Sequence, residues 1–260
     1  MTPKDSINSL RLIARRAARR SYAPYSGTPS GSALLLSDGM WVPGVRVESM
    51  SFGLVIPALT SAIVGSLSAG RRDAVAVALS RDAMPHDRAF MLDTPFGAFR
   101  TEGTDAFLLS DALPLPSEEL DPGLDPDLPL ISLARTIAER AWAPASNFPV
   151  GCILKTTGGR LIPGVNVEHS DWTRTLCAER SALATAVAFG AAEITDVYLT
   201  CLKDKTGSPC GACRQLLWEF APAATVWIDR GNTETECTTT SLLLPGPFRG
   251  QGLRSALSDT

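Results

Sequence analysis

The sequence predicts an α/β chain made of two tandem layered domains, each with helices packed on a mixed sheet. The first observation is that the 260 residues compare with themselves at a constant offset of 120. The second is that helical and strand patterns alternate through the second copy, which is typical of an α/β layered domain. The third is a proline-rich acidic segment between the copies. The length is ample for two domains of ordinary size.

The repeat is carried by ungapped matches. Residues 22–26 (Tyr-Ala-Pro-Tyr-Ser) fall on 142–146 (Trp-Ala-Pro-Ala-Ser), and 43–48 (Pro-Gly-Val-Arg-Val-Glu) fall on 163–168 (Pro-Gly-Val-Asn-Val-Glu). Each copy is too long to be one unit of a solenoid. Residues 111–130 are rich in proline and acid, and proline fixes φ and removes a hydrogen-bond donor, which favours an extended linker. We therefore predict domains at 8–110 and 129–254, joined by a linker at 111–128.

The elements of the second copy follow from local patterns. Apolar spacing predicts a helix over 131–142, and strands at 151–156 and 160–165 flank a Thr-Gly-Gly hairpin turn. An alanine-rich helix over 177–189 ends at Gly190, as helices commonly end at glycine. We further predict a strand at 196–202, a helix at 213–220 and a strand at 225–229. The first copy has the same opening elements.

Composition excludes several classes of function. The net charge of −3 provides no basic field for a polyanion, so we expect no nucleic-acid partner. No apolar stretch approaches the roughly 20 residues of a membrane span. The first twenty residues are rich in arginine and lack an apolar core, unlike a secretory signal, and the repeat assigns them to the fold rather than to a transit peptide. We expect a cytoplasmic protein that does not bind membranes.

All six cysteines lie in the second half, at 152, 177, 201, 210, 213 and 237. A disulfide framework would cross-link the whole chain. The restriction of the cysteines to the second half therefore indicates metal binding or catalysis. Cys177 opens a predicted helix in Cys-Ala-Glu, and Cys210 and Cys213 open another in Pro-Cys-Gly-Ala-Cys. Helix N-termini favour thiolates, and a catalytic zinc takes three protein ligands plus water. Glu179 then lies close to the metal without ligating it.

Other interpretations of the cysteines stay open. The Cys-x-x-Cys pair alone is also typical of a redox pair, half of a structural zinc site, or buried small hydrophobes. A structural zinc site needs a fourth ligand, which Cys201 or Cys237 could supply. Otherwise we predict that Cys152, Cys201 and Cys237 pack in strands, since a free cysteine behaves as a small hydrophobe.

These motifs resemble those of zinc-dependent nucleoside deaminases. The order and spacing of four segments in the second copy resemble cytidine deaminase: 146–151, 164–168, 177–180 and 208–215. Residues 243–248 (Leu-Leu-Pro-Gly-Pro-Phe) resemble that family's carboxy-terminal motif. The resemblance covers essentially all of the second copy. It implies α-β-α domains with about five strands in each sheet.

The resemblance also implies an activity. One Zn²⁺ per chain would be bound in the second domain by Cys177, Cys210 and Cys213, with Glu179 as proton shuttle for a zinc-activated water. The reaction would be hydrolytic deamination of cytidine and deoxycytidine to uridine and deoxyuridine, releasing ammonia, in pyrimidine salvage. The residues matching the substrate-binding positions are Phe148, Asn166, Glu168, Ala178 and Phe248.

Several of these positions have a second interpretation. Asn166 and Glu168 could be polar strand-end residues at the surface. Phe248 matches a phenylalanine that reaches a neighbouring subunit's pocket, but core packing is also open. Arg180 is either a charge partner of the thiolates or a solvated helix arginine. His169 is predicted at the pocket edge or surface.

The first copy lacks this chemistry. Pro57, Leu59 and Thr60 stand where the second copy has Cys177, Glu179 and Arg180. We predict that this half is degenerate and takes the place of a second subunit, and that two chains pair as a homodimer of four domains.

Substitutions in the second copy leave the identity of the nucleoside substrate open. Ala145 replaces the family's tyrosine, while Trp172 replaces another. The alternatives are a deaminase of a modified cytosine nucleoside or a nucleoside antibiotic, and a non-catalytic zinc-stabilised scaffold. The intact Glu179 argues against the scaffold.

Overall fold

The computed structural model describes residues 3–125, 128–191, 193–231 and 234–250. Two residues of the predicted linker, Pro126 and Asp127, and the predicted end of the second domain at 251–254 lie outside these ranges. The helices are α1 (Pro3–Ala18), α2 (Ala58–Ser68), α3 (Pro85–Phe90), α4 (Leu130–Ala138), α5 (Ala178–Ala188), α6 (Gly211–Phe220) and α7 (Thr240–Leu243). The strands are β1 (Gly31–Leu36), β2 (Trp41–Val45), β3 (Ala74–Leu79), β4 (Arg100–Glu102), β5 (Ala106–Leu108), β6 (Val150–Thr156), β7 (Leu161–Val165), β8 (Ile194–Cys201), β9 (Thr225–Asp229) and β10 (Thr235–Thr239).

The two halves repeat each other through the third strand. Strand β2 and helix α2 recur as β7 and α5 at an offset of 120, and so do the short 3-10 helices Phe52–Leu54 and Trp172–Arg174. A glycine permits the same close packing in each half. A Cβ on Gly44 would lie 2.1 Å from the Ala58 carbonyl, and one on Gly164 would lie 2.2 Å from that of Ala178. The prediction of two tandem α/β domains is confirmed.

Each half has a five-stranded sheet. The second is ordered β10-β9-β8-β6-β7 and is mixed, because β8 and β9 run parallel with α6 as the crossover. The first is ordered β2-β1-β3-β5-β4, and all of its pairs are antiparallel. The mixed sheet predicted for the first half is therefore wrong in this detail. In the second half the 10-residue helix α6 leads from β8 to its parallel neighbour β9, whereas in the first half β3 is followed by the six-residue helix α3 and the antiparallel β4–β5 hairpin.

Element ends differ slightly from the predictions. Helix α4 ends at Ala138, and the chain then extends so that Trp142 bridges to Val167. Helix α6 begins at Gly211, ahead of Cys213, and β10 and α7 were not predicted. The predicted linker segment lies along the first sheet, where the Trp41 amide donates to the Glu118 carbonyl at 3.0 Å.

The halves share a core. Helices α2 and α5 pack against each other, and one apolar cluster contains Ile63 and Leu67 of the first half with Ile137 and Ala184 of the second. These four side chains are fully buried. The second half therefore depends on the first for part of its burial. Among the described residues, no helix has the length and apolar character needed to cross a membrane.

Candidate active site

Three cysteines converge where two helices of the second half begin. Cys177 precedes the first turn of α5, Cys210 precedes that of α6, and Cys213 lies within the first turn of α6. The Sγ atoms of Cys177 and Cys210 are 3.9 Å apart, and those of Cys210 and Cys213 are 3.5 Å apart. Tetrahedral zinc with Zn–S bonds of about 2.3 Å needs sulfurs about 3.8 Å apart. The three sulfurs fit a metal ion, and among the described residues this is the group that could hold one.

Hydrogen bonds among the three sulfurs, together with helix amides, favour a thiolate at Cys210. The pKa of the Cys210 thiol is lowered by its hydrogen bonds with the Sγ atoms of Cys177 and Cys213, and further by backbone amides in the first turn of α6. Hydrogen bonds with Cys177 and Cys210 raise the pKa of Cys213, and its burial adds to the effect. The neighbouring thiols, and to a lesser extent the free amides of the helix N-terminus, thus stabilise a thiolate at Cys210.

Glu179 lies beside the sulfurs in the first turn of α5, and only 3% of its surface is exposed. Burial raises the pKa of Glu179 to about 7, and the charge on Cys210 adds to this shift. A carboxyl group in this environment can hold or release a proton near neutral pH. The position therefore suits an acid–base group next to the sulfur cluster.

A cavity of about 300 Å³ opens over Glu179 and the cysteines. This volume lies at the lower end of the range for small-molecule sites. The structure brings most of the predicted substrate-binding residues to its walls. These are Phe148, Asn166, Glu168 and Ala178, together with Cys177, Glu179 and Cys210.

Backbone hydrogen bonds hold two of these side chains. Asn166 accepts from the Val150 amide at 2.8 Å and donates to the Phe148 carbonyl at 2.9 Å. Glu168 accepts from the Ala145 amide at 2.8 Å, and its side chain is 5% exposed. The alternative that Glu168 is a polar residue at the surface is wrong. The carboxylate is pre-oriented at the cavity wall.

Two predicted site residues lie away from the cavity. Arg180 is half-buried, donates to the Leu54 carbonyl of the first half at 3.3 Å, and is therefore not the solvated arginine of the second interpretation. Its Nε is buried and has no hydrogen-bond partner among the described residues.

Phe248 is 55% exposed, so the alternative that it packs in the core is wrong. The backbone of Phe248 exchanges two hydrogen bonds with the Gln215 side chain.

The other cysteines have different environments. Cys152 is fully buried in β6, as predicted. Cys237 is exposed on β10, so the prediction that it packs in its strand is wrong. Cys201 is half-buried at the end of β8 and lies on the cavity wall with Leu199. The two-residue spacing of 199 and 201 on a strand could have indicated a shared face. Neither Cys201 nor Cys237 belongs to the described sulfur cluster.

The first half keeps the framework of this site without its sulfurs. Glu48 accepts from the amides of Tyr25 and Ser26 at 3.0 Å, as Glu168 does from the corresponding amides of the second half. Arg46, in the place of Asn166, lies 2.8 Å from Glu48. Pro57 precedes α2, where Cys177 precedes α5. An internal ion pair therefore replaces the polar lining of the cavity.

Comparisons with known proteins agree with this geometry. Two profiles, both described as the cytidine and deoxycytidylate deaminase zinc-binding region, match residues 125–228 and 1–79. A cytidine deaminase of Sporosarcina psychrophila is 36% identical over 49% of this chain and 94% of its own length. One from Mycoplasma genitalium is 38% identical over 45% of this chain and 92% of its own length.

Among solved structures, a cytidine deaminase from Burkholderia pseudomallei is 35% identical, with a TM-score of 0.44, and the match covers 46% of this chain and 96% of that one. Zinc is the metal named for both matched regions, one of which contains the sulfur cluster. The chain is an enzyme of the cytidine deaminase family, in a two-domain arrangement.

Proposed function

We propose that the second half deaminates cytidine and deoxycytidine hydrolytically, giving uridine or deoxyuridine and ammonia, as part of pyrimidine salvage. The observation that carries the proposal is the buried carboxyl of Glu179 beside three converging sulfurs, on the wall of a cavity of about 300 Å³. Relatives named cytidine deaminase, matched over nearly their whole length, support the same reaction.

Cys177, Cys210 and Cys213 would hold one zinc ion per chain. When bound, zinc supplies a Lewis acid that lowers the pKa of water, although three thiolate ligands weaken this effect. Glu179 is the base that completes the activation. It takes a proton from the water that attacks C4 of cytosine, passes a proton to N3, and delivers one to the departing amine. Water and cytidine then account for all atoms of uridine and ammonia.

The cavity walls suggest how the nucleoside is held. Phe148 offers a ring for stacking on the base, while Asn166 and Glu168 offer polar groups to the sugar hydroxyls. Because backbone hydrogen bonds fix Asn166 and Glu168, little side-chain entropy is lost when substrate binds. Ala178, which is buried and lines the cavity, leaves room for the base beside Glu179.

The first half, 8–110 in this proposal, is non-catalytic and supports the second half, 129–254. Two chains form a homodimer of four domains, in which Phe248 reaches the partner's cavity. The exposure of Phe248, 55% within one chain, supports this arrangement. A mass in solution equal to one chain of 27.6 kDa, with full activity, would rule out the dimer.

A modified cytosine nucleoside or a nucleoside antibiotic is the second candidate substrate. It is favoured by Trp172, which lies on the cavity wall with 61% of its surface exposed, and by the small Ala145 near it. A larger substituent on the sugar side would find more room here than beside a tyrosine.

The test uses the full chain with zinc measured in every sample. Loss of the near-ultraviolet absorbance of cytidine reports turnover. We expect Glu179→Gln to retain zinc and to lose at least a factor of about 10² to 10⁴ in kcat, the usual contribution of a general acid–base group. The control is Glu139→Gln, an exposed glutamate at the end of α4. Zinc without turnover of cytidine would direct the search to modified nucleosides. Absence of both would contradict the proposal.

A further inference from the structure

A segment of the first half lies against the loop of the second half that carries Trp172. The Phe90 ring stacks on the His169 ring, with centroids 4.9 Å apart and planes at 8°. The Asp93 carboxylate accepts from the Ser170 amide at 3.0 Å. These contacts join the end of α3 and the residues that follow it to the start of the 169–174 loop.

The other end of the loop is held by the same segment. Arg174 donates to the His86 carbonyl at 2.7 Å, and its guanidinium lies 5.9 Å from the centre of the Phe90 ring. Arg174 also pairs with Asp171 at 2.9 Å, which closes the 3-10 turn on itself. The loop is therefore fixed at both ends by residues 86–93.

Between those ends lies Trp172, which forms part of the substrate cavity wall. A neighbouring cavity of about 330 Å³ shares Glu168 and Trp172 with it and is also lined by Asp93. Since the Trp172 side chain is 61% exposed, its own packing contributes little to its position. That position depends on the backbone on either side, which residues 86–93 hold.

The two halves diverge at this segment, which follows the third strand of each. At the offset of 120, residues 85–90 correspond to 205–210, the chain that leads to Cys210 in the second half. The first half has no cysteine there and instead forms the short helix α3. The second half therefore places Cys210 in its own sulfur cluster at this point. The first half instead places α3 against the 169–174 loop of the second half.

We propose that Phe90 and Asp93 are positioning residues for the substrate site of the other half, acting through the 169–174 loop. This inference rests on the proposed function, since it takes the cavity beside Glu179 as the substrate site. Holding the loop in place before substrate arrives removes an ordering cost from binding, so the contacts lower KM more than they raise kcat.

The kinetic test compares three variants of the full chain. Asp93→Ala removes the acceptor of the Ser170 amide, and we expect KM for cytidine to rise about fivefold with kcat changed less than about twofold. Asp93→Asn keeps an acceptor oxygen and is expected to restore KM to within about twofold. The control is Leu92→Ala, whose side chain is 65% exposed next to Asp93. An equal rise in KM in Leu92→Ala, or none in Asp93→Ala, would overturn the inference.

A second measurement does not need turnover. Trypsin cleaves after arginine, and in the wild-type chain Arg174 is held by His86 and Phe90. We expect cleavage after Arg174 to accelerate at least about fivefold in Asp93→Ala and Phe90→Leu, and to stay unchanged in Leu92→Ala. If the wild-type chain fails to deaminate cytidine, the proposed function fails while this measurement still tests the loop contacts. Unchanged cleavage in both variants would overturn the inference, because Phe90 and Asp93 would then not hold the loop.

Discussion

The hydroxyl of Tyr25, in the first half, donates a hydrogen bond of 3.1 Å to Glu219, in the second. Glu219 also accepts from the Ser49 hydroxyl at 2.8 Å and from the Met50 amide at 3.0 Å. It lies near the end of α6, the helix that begins beside Cys210. The first half therefore anchors one end of a helix whose other end contributes to the sulfur cluster.

Replacing this carboxylate tests the anchor. We expect Glu219→Ala to lower the free energy of unfolding by about 1–3 kcal/mol, because three donors of the first half lose a charged acceptor. Zinc should also transfer faster to a chromogenic chelator. Urea unfolding and metal transfer measure the two effects. Glu234→Ala, at an exposed position, is the control, and equal behaviour of the two variants would contradict the prediction.

Two glycines of the β6–β7 hairpin allow a controlled test of how α5 packs. A Cβ at Gly164 would lie 2.2 Å from the Ala178 carbonyl, so Gly164→Ala must displace the helix that carries Glu179. We expect a loss of about 3 kcal/mol or more in the free energy of unfolding, together with reduced activity. Gly158→Ala is the matched control, since the nearest atom to its Cβ would be 3.9 Å away. Thermal and urea unfolding of both variants decide the point.

Asp229 predicts a pH dependence of stability. Hydrogen bonds from Arg135 lower the pKa of this carboxyl to about 2, below the usual value of about 3.9 in an unfolded chain. Its stabilising contribution is therefore complete above about pH 4 and is lost as the pH falls through about 2. We expect Asp229→Asn to be less stable than wild type at pH 7 and the difference to shrink between about pH 4 and 2. A constant difference in urea unfolding over that range would contradict this account.

Thiol reactivity should report metal removal. In the zinc-loaded chain we expect rapid labelling at the exposed Cys237, and Cys237→Ser should abolish it. A chelator should add reactivity at Cys177 and Cys210, because neither is fully buried once the metal is removed. The buried Cys152 should react only on unfolding. A chromogenic disulfide measures all three stages, and no added reactivity with chelator would argue against metal binding by these thiols.

Much of the fold and part of the candidate site could be predicted because the signals are local. The Thr-Gly-Gly turn indicated the β6–β7 hairpin, and the alanine-rich run ending at Gly190 indicated α5. The positions of Cys177 and Cys210 at helix starts could also be predicted, because the start of a helix has local sequence signals. The repeat then carried the opening elements over to the first half.

Tertiary structure decided what depends on residues far apart in the chain. Cys177 meets Cys210 across 33 residues only because the first turns of α5 and α6 lie next to each other. The antiparallel order of the first sheet and the exposure of Cys237 follow from strand neighbours, which periodicity does not specify. The contacts of Phe90 with His169 and of Tyr25 with Glu219 depend on how the halves pack. The sequence by itself determined the elements and the chemistry available, whereas long-range packing determined which side chains are buried, paired or exposed.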